Sequence, residues 1–221
     1  MLATFTDRSG GVSQGAFTSL NLGDHVNDLS ADVQANREIL RSKFGAVQYM
    51  NQVHGSRIAI IESVTDEAPT ADALVTGIAG ITLAVMVADC IPLLLTSPEA
   101  VAAVHVGRRG LVNEVAIKTI ELMREMGASQ ISAELGPAIC GSCYEVSPEV
   151  AEEVLALHPL AKAQTPAGTP SLDLPKALKA SLIGAGITEI KDRQICTVES
   201  SNHFSYRRDG VTGRQVGLVS L

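Results

Sequence analysis

The chain has 221 residues, of which 46% are hydrophobic and only 3% aromatic, with no Trp. This length fits one large domain better than two small ones, and the composition excludes a disordered chain and calls for a core of Ala, Val, Leu and Ile. The formal net charge of -7 argues against a sequence-independent grip on nucleic acid, and no apolar run is long enough to span a membrane.

In chain order, Asp32 to Phe44 has helical spacing at Val33, Ile39, Leu40 and Phe44. Arg57 to Glu62 is a short β-branched strand. Ile81 to Thr96 is apolar throughout except at Asp89 and Cys90, and Pro92 breaks it. It therefore reads as two strands, or a strand and a bulge, meeting at Asp89-Cys90. Val101 to His105 is a buried strand. Leu111 to Met126 is an amphipathic helix with Val112, Val115, Ala116, Thr119, Ile120 and Met123 on one face. Ser147 caps a helix over Glu149 to Leu157, with Pro148 at its first position. His158 to Pro170 reads as a surface loop. Leu174 to Ala185 is a helix stopped by Gly184 and Gly186, and strands follow at Glu189 to Ile195 and Gln215 to Val219. The order lacks a regular βαβ rhythm, which favours an α+β layered sandwich over a doubly wound sheet.

The N-terminal MLATFTDRSGG has no apolar signal-peptide core, so a cytoplasmic setting is expected. There Cys90, Cys140, Cys143 and Cys196 are expected to be reduced thiols, more readily ligands or nucleophiles than disulfide halves. His54 stands in NQVHG at a strand or loop edge; a lone loop histidine is the plainer reading of it. Asp89-Cys90 interrupts an apolar run, and a buried carboxylate needs compensation that a bound cation would supply. His105 ends a buried strand before Gly107-Arg108-Arg109-Gly110. The N-terminus of the following helix, with Arg109, would make an anion site. Arg8, Arg207 and Arg208 are weaker candidates for that role, and Asp72 in ADALVT is a second acid beside Asp89. Two histidines and a cysteine at strand ends make a plausible three-ligand zinc site with one position open, though spacing alone does not join them.

Cys140-Gly141-Ser142-Cys143 competes as a metal or redox motif, but a single pair supplies two ligands only. A structural zinc would need two more from Cys196, His25, His158 and His203; a turn with free thiols is the plainer reading.

The segments NQVHG, ADALVT, VADCIPLLL, AAVHVGRRG, GPAICGSCYEV and FSYRRDGVTGRQVGL resemble the YfiH-like family, as does the opening TDRSGGVSQGAFTSLNLGDHVND. That family was long labelled laccase-domain or multicopper polyphenol oxidase and is now described as purine nucleoside phosphorylases. The resemblance runs in order along the whole chain, as one domain over residues 1–221. It implies zinc on His54, Cys90 and His105, and a four-layer α/β/β/α sandwich with mixed β-sheets shared with a toxin deamidase. It also implies phosphorolysis of adenosine, inosine, guanosine and methylthioadenosine, and hydrolytic deamination of adenosine. Purine nucleoside and phosphate are then the partners, and Cys90, Asp89 and Arg109 the expected catalytic residues. One departure is Arg108, where the family often has Trp.

Three other readings use the same residues. Copper-dependent phenol oxidation needs many histidines, usually in His-x-His pairs; the chain has five histidines and no such pair. A metal-free cysteine hydrolase or deamidase would use Cys90 as nucleophile and His105 as base. The last is a non-enzymatic metal- or partner-binding module.

Overall fold

A computed structural model describes residues 1–221. Strand β5 (Ile81–Val87) is buried along its full length because something covers each of its faces. Ile81, Leu83, Val85 and Val87 point into one core, while Ala84 and Met86 point into another. Such alternation is the strand's period of two, with apolar demand on both sides. β5 belongs to a four-stranded sheet of order β1 (Leu2–Phe5), β12 (Gln215–Ser220), β5, β2 (Ala46–Gln48). β2 runs parallel to β5 and the other neighbours are antiparallel. Helix α1 (Ser30–Phe44) lays Leu40 on the Ala84 and Met86 face.

The apolar run that forms β5 does not stay in that sheet. Beyond Asp89 it continues as β6 (Ile91–Thr96) in a six-stranded sheet. The order there is β11 (Ile190–Asp192), β8 (Ser132–Leu135), β6, β7 (Val101–Val106), β4 (Ala73–Thr76), β3 (Ile58–Ile60). β11 with β8 and β3 with β4 are parallel pairs; the rest are antiparallel. The expected break at Asp89-Cys90 is thus a crossing between sheets, and Asp89 turns there with a φ of 96°.

Leu74, Leu94, Val101 and Ala103 of the second sheet meet the β5 residues of the first, so the two sheets press face to face. On its far side Ala73, Val75, Leu93, Leu95 and Val104 meet three helices. These are α3 (Val115–Glu125), α4 (Pro148–Leu155) and α5 (Leu174–Gly184), contributing Ile120, Met123, Val154, Leu178 and Leu182. Each Leu or Ile so buried contributes about 1.5–3 kcal/mol. The α+β class and the mixed sheets expected from the sequence are present. No helix is long and apolar enough to cross a membrane.

Helices α4 and α5 carry side-chain caps. Ser147 accepts from the Val150 N–H, with Pro148 at the helix start, and Asp173 accepts from the Lys176 N–H at the head of α5. Two expectations need correction. The helix over Leu111 to Met126 is broken: α2 (Arg108–Val112) ends at Asn113, and Glu114 takes a left-handed φ of 57° before α3 begins. Apolar periodicity runs through the break because it reports a face, not a single backbone angle. His158 to Pro170 is more than a loop, since a 3-10 turn (Pro159–Ala161) leads into the hairpin of β9 (Lys162–Gln164) and β10 (Pro170–Leu172).

Candidate metal centre and active site

Strand register brings the three candidate ligands together. Pairing of β6 with β7 sets Ile91 opposite Val106 and Pro92 opposite His105, so Cys90 stands beside the end of β7. His54 lies in the loop before β3 and reaches the same place through a left-handed φ of 57°. One donor atom each from His54, Cys90 and His105 lies within 4.8 Å of the others. His54 Nε2 is 3.8 Å from Cys90 Sγ, and the two imidazole rings meet edge to face at 4.7 Å. Nitrogen and sulfur bound to one tetrahedral zinc stand about 3.6 Å apart, so the donor set and its spacing fit such an ion. His54 is exposed, Cys90 half-buried and His105 buried, which leaves one side open to solvent.

Asp72 organises this cluster. Its buried carboxylate bonds His105 Nδ1 at 2.8 Å and accepts the N–H groups of His54 at 2.9 Å and Gly55 at 2.7 Å. A longer bond comes from the Val53 N–H at 3.3 Å. The bond to Nδ1 fixes the ring and leaves Nε2 facing Cys90, the carboxylate–histidine arrangement typical of metal sites. Burial alone would raise the Asp72 carboxyl, but His105 and the Gly55 and Val53 amides outweigh it and hold it below the usual range. Burial likewise opposes the Cys90 thiolate, yet His105 and His54 bring the thiol down to about 6. His105 moves the other way, since Cys90 and Asp72 overcome its burial and raise it. The cluster thus favours a thiolate, the ligating form of cysteine.

Gly107, just past β7, leaves room for this. A Cβ there would sit 2.9 Å from Cys90 Sγ and 3.2 Å from His54 Cδ2. Its backbone, with φ of -88°, suits any residue, so the constraint is steric. Gly107→Ala should therefore leave the fold intact while weakening zinc affinity by about tenfold, through displacement of two ligands. Chelator competition measures this, and unchanged affinity would refute the close-approach role.

The cluster forms part of the wall of a cavity of about 570 Å³. Tyr144, Tyr206, Arg207 and Arg214 line it too, with Gln52, Met86 and Ile139. Arg109, the first sequence candidate for the anion, lies exposed on α2 and does not line the cavity. The helix break removes the long helix whose N-terminus would have assisted it. Arg208 is tied to Asp209 and to the carbonyls of Thr197, Ser200 and His203. Arg8 bonds the Thr18 carbonyl and stacks on Phe204.

Arg207 does reach the cavity, over the Tyr144 ring at 5.1 Å. Arg214 was not foreseen: it stands between Gly213 and the buried strand β12, and its guanidinium donates to the Thr212 and Gly213 carbonyls. Burial lowers its pKa, against the pull of Cys90 and Asp89. The sequence signal was its place in a Gly-Arg step before an apolar strand, which also describes many surface arginines.

Both oxygens of Asp89 are hydrogen-bonded within the protein. Thr197 Oγ1 donates to one oxygen and the Arg207 N–H to the other, both at 2.6 Å. Asp89 lines the cavity while holding two C-terminal segments against it. His203 is buried and bonds Ser200 Oγ at 2.8 Å, in keeping with a structural role. Arg108 pairs with exposed Glu153 of α4 at 3.1 Å.

The sequence model of the family described as multi-copper polyphenol oxidoreductase laccase matches residues 2–221. A Streptomyces coelicolor protein named purine nucleoside phosphorylase is 44% identical over 98% of this chain and 94% of its own. A Corynebacterium glutamicum protein with the same name is also 44% identical, over 98% and 93%. Among solved structures, a Neisseria meningitidis protein of the DUF152 family superposes with a TM-score of 0.91 at 37% identity, over 99% of this chain and 93% of that one. YlmD of Geobacillus stearothermophilus gives 0.89 at 33% identity, over 99% and 91%. With a family match along almost its whole length and full-length relatives well above 30% identity, this chain belongs to the laccase-domain family of YlmD and YfiH.

Proposed function

We propose that this protein is a zinc-dependent purine nucleoside phosphorylase. Its substrates are adenosine, inosine, guanosine and methylthioadenosine, and hydrolytic deamination of adenosine is a second reaction. The observation that carries the reading is the convergence of His54, Cys90 and His105 on a cavity that also presents two tyrosine rings and two arginines. Relatives that match this chain end to end bear the phosphorylase name.

Phosphorolysis forms a bond from phosphate oxygen to the ribose anomeric carbon and breaks the bond from that carbon to the purine nitrogen. The chain's residues must hold the dianion, orient a flat base and exclude bulk water. Tyr144 and Tyr206 offer apolar faces for the purine. Arg207 and Arg214 offer positive charge for the phosphate, replacing Arg109 in that role. His54, Cys90 and His105 would hold the zinc, which supplies a Lewis acid at the wall. Asp89 positions the Thr197 and Arg207 segments and does not ligate. A cytoplasmic setting would keep the thiolate ligand reduced.

The reading is tested by release of hypoxanthine from inosine. Release should require inorganic phosphate, vanish after chelation and return with zinc. Activity that survives complete zinc removal would sink it. Arg214→Met should raise the KM for phosphate by about tenfold or more while changing the KM for inosine little, as loss of one charge-assisted contact implies. Steady-state kinetics with each substrate varied separates the two.

A second reading has a specific observation behind it. Cys90 set against His105, with the thiol drawn down and the imidazole raised, is also what a cysteine hydrolase presents. Copper oxidation has less support. Its clusters need many imidazoles, and His25, His158 and His203 join no ligand group.

A further inference from the structure

The first site leaves three of the four cysteines unused. Cys140 and Cys143 close a tight turn in which the Cys143 and Tyr144 N–H groups both donate to the Cys140 carbonyl at 3.1 Å. A parallel bridge between Ala138 and Cys196 lays the C-terminal segment alongside that turn. As a result, one donor atom from each of Cys140, Cys143, Cys196 and Glu199 lies within 4.8 Å of the other three. Cys143 Sγ is 3.7 Å from Glu199 Oε1. We propose that Cys140, Cys143, Cys196 and Glu199 form a second metal site that holds a structural zinc ion.

The donor set is the first argument. Three thiolates and one carboxylate complete a tetrahedral shell and leave no open position, the pattern of a structural rather than a catalytic zinc. The sulfur environment is the second. Cys196 Sγ accepts the Cys140 N–H at 3.4 Å, which fixes this sulfur against the Cys140–Cys143 turn. A bond of this kind is the outer-shell support that orients a ligating side chain. The third argument is economy of explanation. A disulfide within the Cys140–Cys143 turn would use two sulfurs and account for neither Cys196 nor Glu199. The half-buried placement of Cys140 and Cys143 gives an ion a route in.

The site also has an evident task. The same two segments carry Ile139 and Tyr144 to the cavity wall and Thr197 to Asp89. A metal tying Cys140 and Cys143 to Cys196 and Glu199 would clamp that wall without touching the reacting groups.

The test uses full-length protein carrying His54→Ala, so that it does not depend on the first site. This protein, incubated with zinc and freed of excess, should retain about one zinc ion per chain by elemental analysis. Cys143→Ser in that background should bring the count near zero. Should that variant fail to fold, a second readout needs no further mutation. Zinc should slow alkylation of Cys140, Cys143 and Cys196 by iodoacetamide by about tenfold or more, as mapped by peptide mass. Equal alkylation with and without zinc, or no retained zinc in the His54→Ala protein, would overturn the proposal. So would a Cys140–Cys143 disulfide persisting in protein prepared under reducing conditions.

Discussion

His54→Ala should lower phosphate-dependent cleavage of inosine by about 10³-fold or more, which corresponds to about 4 kcal/mol of transition-state stabilisation. The variant should fold, because His54 is an exposed loop residue that contributes no core packing. It should also lose the zinc of the first site, since two protein ligands hold the ion far less firmly than three. This substitution separates the two enzymatic readings better than one at Cys90, which both readings require. A cysteine hydrolase needs His105 as its base, and Asp72 already holds that ring in place. In such an enzyme His54 would be auxiliary, and its loss would cost about tenfold or less. Kinetics and zinc content measured on one preparation decide between them: near-wild-type turnover in His54→Ala protein that has lost the zinc of the first site would remove that metal from the mechanism.

Asp72→Asn is expected to weaken zinc binding by about 10- to 100-fold, the usual cost of losing a carboxylate behind a ligating histidine. Here the effect reaches further than one ring. The carboxylate accepts N–H groups from Val53, His54 and Gly55 as well as from His105. An amide presents one acceptor oxygen and turns an NH2 group toward donors. A completely buried side chain cannot escape that conflict into water. The expected stability loss is about 2 kcal/mol, or a Tm lower by about 4–8 °C for a chain of this size. Zinc competition and thermal unfolding check the two parts separately. A variant with unchanged metal affinity would show that the His105–Asp72 bond does not set the ligand geometry.

Much of this protein is legible along the chain. The helical spacing at Val33, Ile39, Leu40 and Phe44 marks α1 to within a few residues. Ser147-Pro148 marks the start of α4, because the cap is a local bond between side chain and backbone. The apolar run from Ile81 with its interruption at Asp89-Cys90 marks both β5 and β6. Each of these signals depends on residues within a turn or two of one another. The residue types of the first site are visible as well, because histidine, cysteine and aspartate at strand ends are chemically conspicuous against an apolar background.

What only the tertiary structure decides is which of those residues meet. That β5 and β6 enter different sheets follows from pairing of β5 with β12, distant in sequence, and of β6 with its hairpin neighbour β7 and with the more distant β8. That Asp72 rather than Asp89 bonds His54 and His105 follows from where β4 begins relative to the end of β7. Arg109 stands near His105 in sequence, yet it is Arg214, far along the chain, that lines the cavity. The left-handed turn at Glu114 and the outward placement of Arg109 on α2 cannot be read from apolar periodicity. Cys196 and Glu199 meet the Cys140–Cys143 turn because a long-range bridge at Ala138 lays the two segments side by side. The physical reason is common to all of these. Local sequence sets backbone preference and which face is apolar, whereas a polar site is built by long-range register, and register is settled by how buried faces fit together.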